Sequence, residues 1–512
     1  MSDALPRPPP DPATTPIDQH DQKLIDHTRP SAWNNPEPRR RYNMVVIGGG
    51  PAGLVTAVGA ANLGAKVALV EKDGLGGDCL NVGCVPSKAL IRSARSRFEV
   101  RDAQRFGLHV LGDAKVDFPA VMERMRRLRA KLSHHDAATR LQGLGVDVFF
   151  GEGHFRDRST FTIGGHDLHF ARACLATGTR PMTPLIEGLP EAEALTNESL
   201  FSLSDLPARL AILGGGPIGC ETAQTFARLG TQVELIEMTH QILPRESAHA
   251  ATTLSESLLH DGVRIATETQ LTHITRIGDT RKLILESASG TREITVDELL
   301  ICVGRSPNVQ NLGLEAAGVD YSTGGIRVDE RLRTTNKRIF AAGDVCSSQR
   351  FTHAADAMAR IVIGNALFFG RAKSSALTIP WCTFTDPEIA HIGMTSLEAS
   401  ARSIPIDTHR VDLSEVDRAV LDGDTRGFLE IICPRRKDKI LGATLVARNA
   451  GDLISPIAVA MTAGAGLKTV ARTIFPYPTQ AEIFKKTADR FNQTRLTPGL
   501  SKILRFFLAR RR

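Results

Sequence analysis

Two stretches decide the fold: GGGPAGLVTAVGAANLGAKVALVEK, residues 48–72, and GGGPIGCETAQTFARLGTQVELIEM, residues 214–238. They align without a gap. Gly48, Gly50 and Gly53 match Gly214, Gly216 and Gly219, and Gly64, Val67 and Glu71 match Gly230, Val233 and Glu237. Each copy follows or contains short apolar runs, opens on glycines, passes through a helical stretch and closes on an acid. That order predicts two related β-α-β units. Met44-Val45-Val46-Ile47 ahead of the first copy reads as a buried parallel strand entering a tight turn.

A single GxGxxG is weak evidence because glycine turns are common. Here the strand, turn and helix come with an acid, Glu71 or Glu237, at the same offset from the third glycine in both copies. The first glycine makes the turn, the second admits a pyrophosphate, and the third lets helix and strand pack. The acid then reaches ribose hydroxyls. Two dinucleotides are expected.

Between the two copies runs GGDCLNVGCVPSK, residues 76–88. Cys79 and Cys84 stand at what reads as a helix start, where the helix dipole favours thiolate. Such a pair can close and reopen a disulfide. A partial zinc site is the competing reading, but four ligands are needed, and the adjacent pair His134-His135 lies far along the chain.

Composition sets the outer limits. With 512 residues the chain exceeds one hydrophobic core, so about three domains are expected. Aromatic residues make up 5%, too few for a stacking platform for sugars or single-stranded nucleic acid. The net charge of +7 gathers partly at Arg39-Arg40-Arg41 and Arg510-Arg511-Arg512, which argues against a nucleic-acid surface inside a folded module. The eight cysteines show no disulfide framework, no secretory signal is visible, and no apolar run is long enough to cross a bilayer. A cytoplasmic location is expected, with no bound metal.

These motifs resemble the class I pyridine nucleotide-disulfide oxidoreductases, which include glutathione reductase, dihydrolipoyl dehydrogenase and mercuric ion reductase. The resemblance runs from about Tyr42 to Pro498. It rests on the cysteine segment, on Ala176-Thr177-Gly178, on Val303-Gly304-Arg305-Ser306-Pro307-Asn308 and on Ala341-Ala342-Gly343-Asp344-Val345. It implies an α/β fold with two Rossmann-like domains, for FAD and NAD, and an α+β dimerisation domain. The expected divisions are a flexible Pro-rich arm at 1–41, FAD-binding parts at 42–188 and 306–376, and NAD binding at 189–305. An interface domain at 377–498 and a basic amphipathic helix at 499–512 complete the chain.

By that resemblance FAD meets Gly48, Gly50, Gly53, Glu71, Lys72, Gly77, Asp78, Gly153, His154, Ala176, Thr177, Gly178, Gly343 and Asp344. NAD meets Gly214, Gly216, Gly219, Glu237 and Gly304. Cys84 would exchange electrons with the flavin and Cys79 would meet the substrate, while Lys88, paired with Glu221, would stand near flavin N5. A lysine there stabilises the negative charge of reduced flavin.

The chain departs from its disulfide-reducing relatives at Phe475-Pro476-Tyr477-Pro478-Thr479-Gln480-Ala481-Glu482. The family's His-Pro-Thr histidine, given by the partner subunit and followed by a glutamate, is replaced by Tyr477. A phenol near pKa 10 cannot shuttle protons at neutral pH as an imidazole near about 6.5 does. This favours a mercuric-reductase-like enzyme whose acceptor is a thiophilic metal ion or thiol compound. Two alternatives stand beside it: an NAD-linked dihydrolipoyl dehydrogenase, and a low-turnover redox sensor or assembly factor. Mercuric ion reductases also end in a cysteine pair, whereas no cysteine follows Cys433 here; Cys382 is a buried structural thiol or a substitute ligand. Glu237 favours NADH over NADPH because an acid repels a 2′-phosphate, with Arg245 nearby leaving room for NADPH. A homodimer is expected. Leu500, Ile503, Leu504, Phe507 and Leu508 share one helical face, which reads either as a membrane or partner surface or as packing on its own subunit.

Overall fold

A computed structural model describes residues 18–110 and 115–511. The backbone divides into two units, one of residues 1–238 and 262–377, the other of 239–261 and 378–512.

In the first unit, strands Val146–Phe150, Val67–Glu71, Tyr42–Ile47 and His166–Leu175 lie side by side, the first three parallel to one another. Val67–Glu71 is buried along its whole length, as a strand covered on both faces must be. The ten-residue strand His166–Leu175 does double duty. Its first half pairs antiparallel with Thr160–Ile163, and its second half pairs parallel with Tyr42–Ile47 and with Ile339–Ala341. The chain therefore returns, after the second glycine repeat, to complete the sheet that the first repeat began.

The second repeat builds its own parallel sheet in the order Arg264–Ala266, Gln232–Ile236, Arg209–Leu213, Glu298–Ile301. An antiparallel sheet of Thr269–Ile277, Thr280–Ser287 and Gly290–Val296 follows. The helix Pro217–Leu229 is buried without a break from Gly219 to Leu229, and it packs on the helix Cys84–Arg101. The Arg228 guanidinium lies 3.9 Å from the Phe98 ring centre, and Arg97 Nη1 donates to the Arg228 carbonyl at 2.5 Å. The helix that begins at Cys84 thus leans on the helix of the second glycine repeat.

The expectation of a flexible arm over 1–41 is corrected for residues 18–41. Gln19–Thr28 is a helix that buries Asp21, Leu24, Ile25 and Thr28. Asp21 accepts from Arg129 at 2.7 Å in a buried ion pair, and Asp18 from Arg126 at 2.6 Å. Proline content misled because the prolines cluster before this helix; residues 1–17 lie outside the described residues.

The second unit is a five-stranded antiparallel sheet in the order Pro380–Thr383, Glu388–Gly393, Gly442–Ala447, Phe428–Pro434, Ile406–Asp412. Helices Ser455–Thr462, Leu467–Arg472 and Glu482–Thr494 supply Ile457, Leu467, Ile483, Phe484 and Ala488 to its core. The segment 239–261, assigned by sequence to the 189–305 domain, groups here instead. Trp381 Nε1 donates to Glu246 Oε1 at 2.6 Å and Ser257 Oγ to the Asp386 carbonyl at 2.6 Å, which explains the grouping.

Candidate active site

The cysteine segment is shaped by glycines. Gly76 and Gly77 take φ +91° and +54°, turning the chain into the short helix Gly77–Asn81 that carries Cys79. Gly83 then leads into the helix Cys84–Arg101, with Cys84 at its first position. Both sulfurs meet one hydroxyl: Thr352 Oγ1 donates to Cys79 Sγ at 3.2 Å and lies 3.7 Å from Cys84 Sγ. One turn along, Lys88 Nζ donates to Glu221 Oε2 at 2.9 Å. Lys88 is thus linked to Glu221, and Glu221 stands on the helix that opens with the second glycine motif.

The two thiols are driven apart in acidity. The hydrogen bond with Cys79, helped by the Lys88 ammonium and the Thr352 hydroxyl, lowers Cys84 to about 6 against the opposing effect of burial. Cys79 moves the other way, raised by its hydrogen bond with Cys84, by burial and by the charge on Cys84. A stable thiolate at Cys84 and a protonated thiol at Cys79 are what a dithiol needs if one sulfur holds charge and the other exchanges.

Three residues that sequence reasoning missed converge here. Thr352 is the first. Asp136 is the second: burial raises its carboxyl, its charge helps to raise Cys79, and its Oδ2 stands 3.0 Å from where a Gly76 Cβ would be. Its neighbours His134 and His135, weighed from sequence only as metal ligands, pack ring against ring with centroids 3.8 Å apart and planes tilted by 39°. Arg129 is the third, its Nη1 donating to the Asn81 carbonyl at 2.8 Å beside the cysteines. Among the described residues no three His, Cys, Asp or Glu gather as a metal would require.

The two glycine repeats have nearly the same geometry. Gly48 and Gly214 take φ +106° and +111°, and each donates its N–H to the neighbouring strand at 2.8 Å. A Cβ on Gly53 would lie 1.8 Å from the Gly48 carbonyl oxygen, and one on Gly219 would lie 1.9 Å from that of Gly214, so no other residue fits. Glu71 Oε2 accepts from Gly49 N at 2.5 Å, and Glu237 Oε2 from Gly215 N at 2.7 Å. Burial raises the Glu71 carboxyl, opposed by the N–H groups of Asp73 and Gly49. Both acids are therefore aimed at the glycine turn, as a ribose partner must be.

Around the first repeat, Gly77 closes on Gly50, where a Cβ would come within 2.8 Å of the Gly50 Cα. Ala176 N donates to the Ile47 carbonyl at 2.7 Å, and Thr177 exchanges two hydrogen bonds with Asn308 at 2.7 and 2.9 Å. Gly178 is left-handed at φ +65°. Asp344, beside left-handed Gly343, accepts from Thr179 at 3.3 Å and is raised by burial. Asp78 pairs with Arg305, next to Gly304 at φ +139°. A cradle of bare glycine backbone with a buried acid at its end fits a dinucleotide. The remaining expected contacts flank Glu71: Lys72 follows it, and Gly151 N donates to the Glu71 carbonyl at 2.9 Å shortly before Gly153. Lys72 pairs with Asp73 at 3.4 Å, and Gly153 and His154 open the hairpin strand Gly153–Asp157, where the Phe161 ring takes the space a Gly153 side chain would need.

In the second unit, Tyr477 is exposed, and its hydroxyl donates to Asp417 Oδ2 at 3.0 Å, which raises the phenol further. Glu482 opens the helix Glu482–Thr494, 3.7 Å from Lys486, with its Oε2 buried and unpartnered. Cys382 Sγ is half-buried against the Thr383 carbonyl at 3.5 Å and Glu388 at 3.9 Å.

Residues 42–360 match the family described as pyridine nucleotide-disulphide oxidoreductase, and residues 379–488 match its dimerisation domain. The chain belongs to this family. The pyridine nucleotide-disulphide oxidoreductases are FAD-dependent enzymes with NAD(P)H as electron donor, and the dimerisation domain supports a homodimer. A mercuric reductase of Streptomyces lividans is 35% identical over 456 residues, 88% of this chain and 96% of that protein. A dihydrolipoyl dehydrogenase of Chlamydia trachomatis is 33% identical over 459 residues, 87% of this chain and 96% of that one. Among solved structures, the HOCl-induced flavoprotein disulfide reductase RclA from Escherichia coli superposes with TM-score 0.78 at 28% identity, covering 88% of this chain and 99% of that one; its Cu(II) complex also gives 0.78.

Proposed function

We propose that the protein is a homodimeric NADH:acceptor oxidoreductase whose Cys79–Cys84 pair reduces a thiophilic metal ion, in the manner of a mercuric reductase. FAD, when bound, would supply the two-electron relay between NADH and the dithiol. Lys88, held by Glu221, would offer a positive charge to reduced flavin. Cys84 holds thiolate, the Thr352 hydroxyl donates to Cys79 and lies within reach of Cys84, and Cys79 ligates the acceptor. Glu71 and Asp344 hold FAD through its adenosine ribose and ribityl chain. Glu237 holds the nicotinamide nucleotide and disfavours a 2′-phosphate.

The observation that carries the choice of acceptor is Tyr477, bonded to Asp417 where a proton-shuttling imidazole would serve a disulfide reductase. Proton balance explains why this matters. Reducing a disulfide to two thiols with NADH consumes a proton, which a nearby acid must deliver. Reducing Hg(II) to the metal, or two Cu(II) to Cu(I), with NADH releases one, and thiol ligands freed from a complex take their protons from solution, with no S–S bond to break at the site. Mercuric reductases among the relatives, and the Cu(II) complex of RclA, support a soft metal ion as the acceptor class.

A second reading, dihydrolipoyl dehydrogenase, draws on Glu237 and on relatives of that name. An acceptor panel on the FAD-loaded protein separates the two. NADH oxidation that depends on thiol-complexed Hg(II) or Cu(II), and fails when Cys79 is serine, is expected; faster turnover of lipoamide would overturn the metal assignment.

A further inference from the structure

The helix Pro498–Ala509 is well formed, its Thr497 side chain accepting from Leu500 N, yet it buries none of its residues. Phe507 is 60% exposed and Leu508 63%. Leu500, Ile503, Leu504, Phe507 and Leu508 fall within an arc of about 140° at the ordinary helical pitch. Lys502 and Arg505 lie on the other side, and the Arg510 guanidinium sits 4.1 Å from the Phe506 ring centre. From Arg490 to Arg512 the basic residues are Arg490, Arg495, Lys502, Arg505, Arg510, Arg511 and Arg512, with no Asp or Glu among them. The family's dimerisation domain ends at residue 488, so this helix is not part of the matched dimer-forming domain. No helix among the described residues is long and apolar enough to cross a bilayer.

We propose that the helix Pro498–Ala509 docks the protein on an anionic lipid surface, lying in the interface with its leucine and phenylalanine face in the acyl boundary. Charge complementarity selects this occupant. A nucleic acid or an acidic protein surface would engage the arginines and leave five large apolar side chains in water. A neutral apolar groove would leave the cations without partners. An anionic bilayer takes both faces at once. The two helices of a dimer would double the attachment, converting weak single-helix binding into stable association. This proposal is independent of the redox reading.

The test is co-sedimentation of the FAD-loaded protein with phosphatidylcholine vesicles made with or without phosphatidylglycerol. Binding to the anionic vesicles alone, weakened by salt, is expected. K502Q/R505Q should cut partitioning by roughly thirtyfold for each helix engaged, at about one tenfold step per 1.4 kcal/mol and about 1 kcal/mol per cation. L504E/F507E should abolish it, with NADH oxidation unchanged in both. Equal binding to neutral vesicles, or none to either kind, would overturn the proposal. So would conversion of the dimer to a monomer by L504E/F507E, which would assign the face to a second copy of the chain.

Discussion

Lys88 Nζ lies 2.9 Å from Glu221 Oε2, although 133 positions separate the two residues. One is a turn beyond Cys84 and the other is the fifth residue of the helix that follows the second glycine motif, so the pair ties the cysteine segment to the second repeat. Lys88 is also among the groups that lower Cys84. The thiolate is therefore the form present above about 6, and it is lost as pH falls through that value. In the two-electron-reduced protein the long-wavelength absorbance of this thiolate should fade on acidification with a midpoint near 6. Lys88→Met should move the midpoint upward by about one unit. A midpoint that ignores Lys88→Met would show that its charge is not felt at the sulfur.

Thr352 should matter to both sulfurs. Its hydroxyl lowers each of them, so Thr352→Val should slow alkylation of the reduced protein by iodoacetamide at neutral pH. A loss of about tenfold in metal-dependent NADH oxidation is expected from removing one donor at charged sulfur. Thr352→Ser, which keeps the hydroxyl, should restore most of it. Equal defects in the two variants would point to lost packing instead.

Tyr477→His offers the imidazole that this segment lacks. Disulfide turnover, measured with lipoamide, should rise by about tenfold or more, and metal-dependent oxidation should change little. If lipoamide turnover stays flat while the variant remains dimeric, the proton-shuttle account of acceptor choice fails.

His391 gives a stability prediction. Burial lowers its imidazole to about 4, beneath the Trp381 ring at 4.3 Å. The neutral form is the one that fits, so the stability it brings is complete above the unfolded value of about 6.5 and is lost as pH falls toward 4. The penalty reaches about 3 kcal/mol. Tm measured across that range should fall more steeply in the parent protein than in His391→Asn, and parallel curves would remove His391 from the account.

The glycine repeats could be read from sequence because their constraint is local. A left-handed turn at Gly48 and a carbonyl 1.8 Å from any Cβ at Gly53 admit one residue type, and the sequence carries that signature openly. The cysteine pair and Lys88 were legible for the same reason: all lie on one short segment. Thr352 was not, since it reaches Cys84 from 268 positions away through the packing of separate helices. Asp136 was masked by the two histidines before it. The helix Gln19–Thr28 did leave a signal, in the helical spacing of Leu24, Ile25 and Thr28, but the prolines ahead of it drew the reading toward disorder.

Arg129 grips Asp21 with one nitrogen and the Asn81 carbonyl with the other, while Leu75 N bonds the Thr28 carbonyl at 3.1 Å. What precedes the first strand is thus a bookend for the cysteine loop. Trimming the chain back to Tyr42, a natural choice for anyone seeking a tidier protein to crystallise, would strand a buried guanidinium and unseat the loop from one side. Kinetics gathered on such a shortened protein would describe a looser catalyst than the full chain.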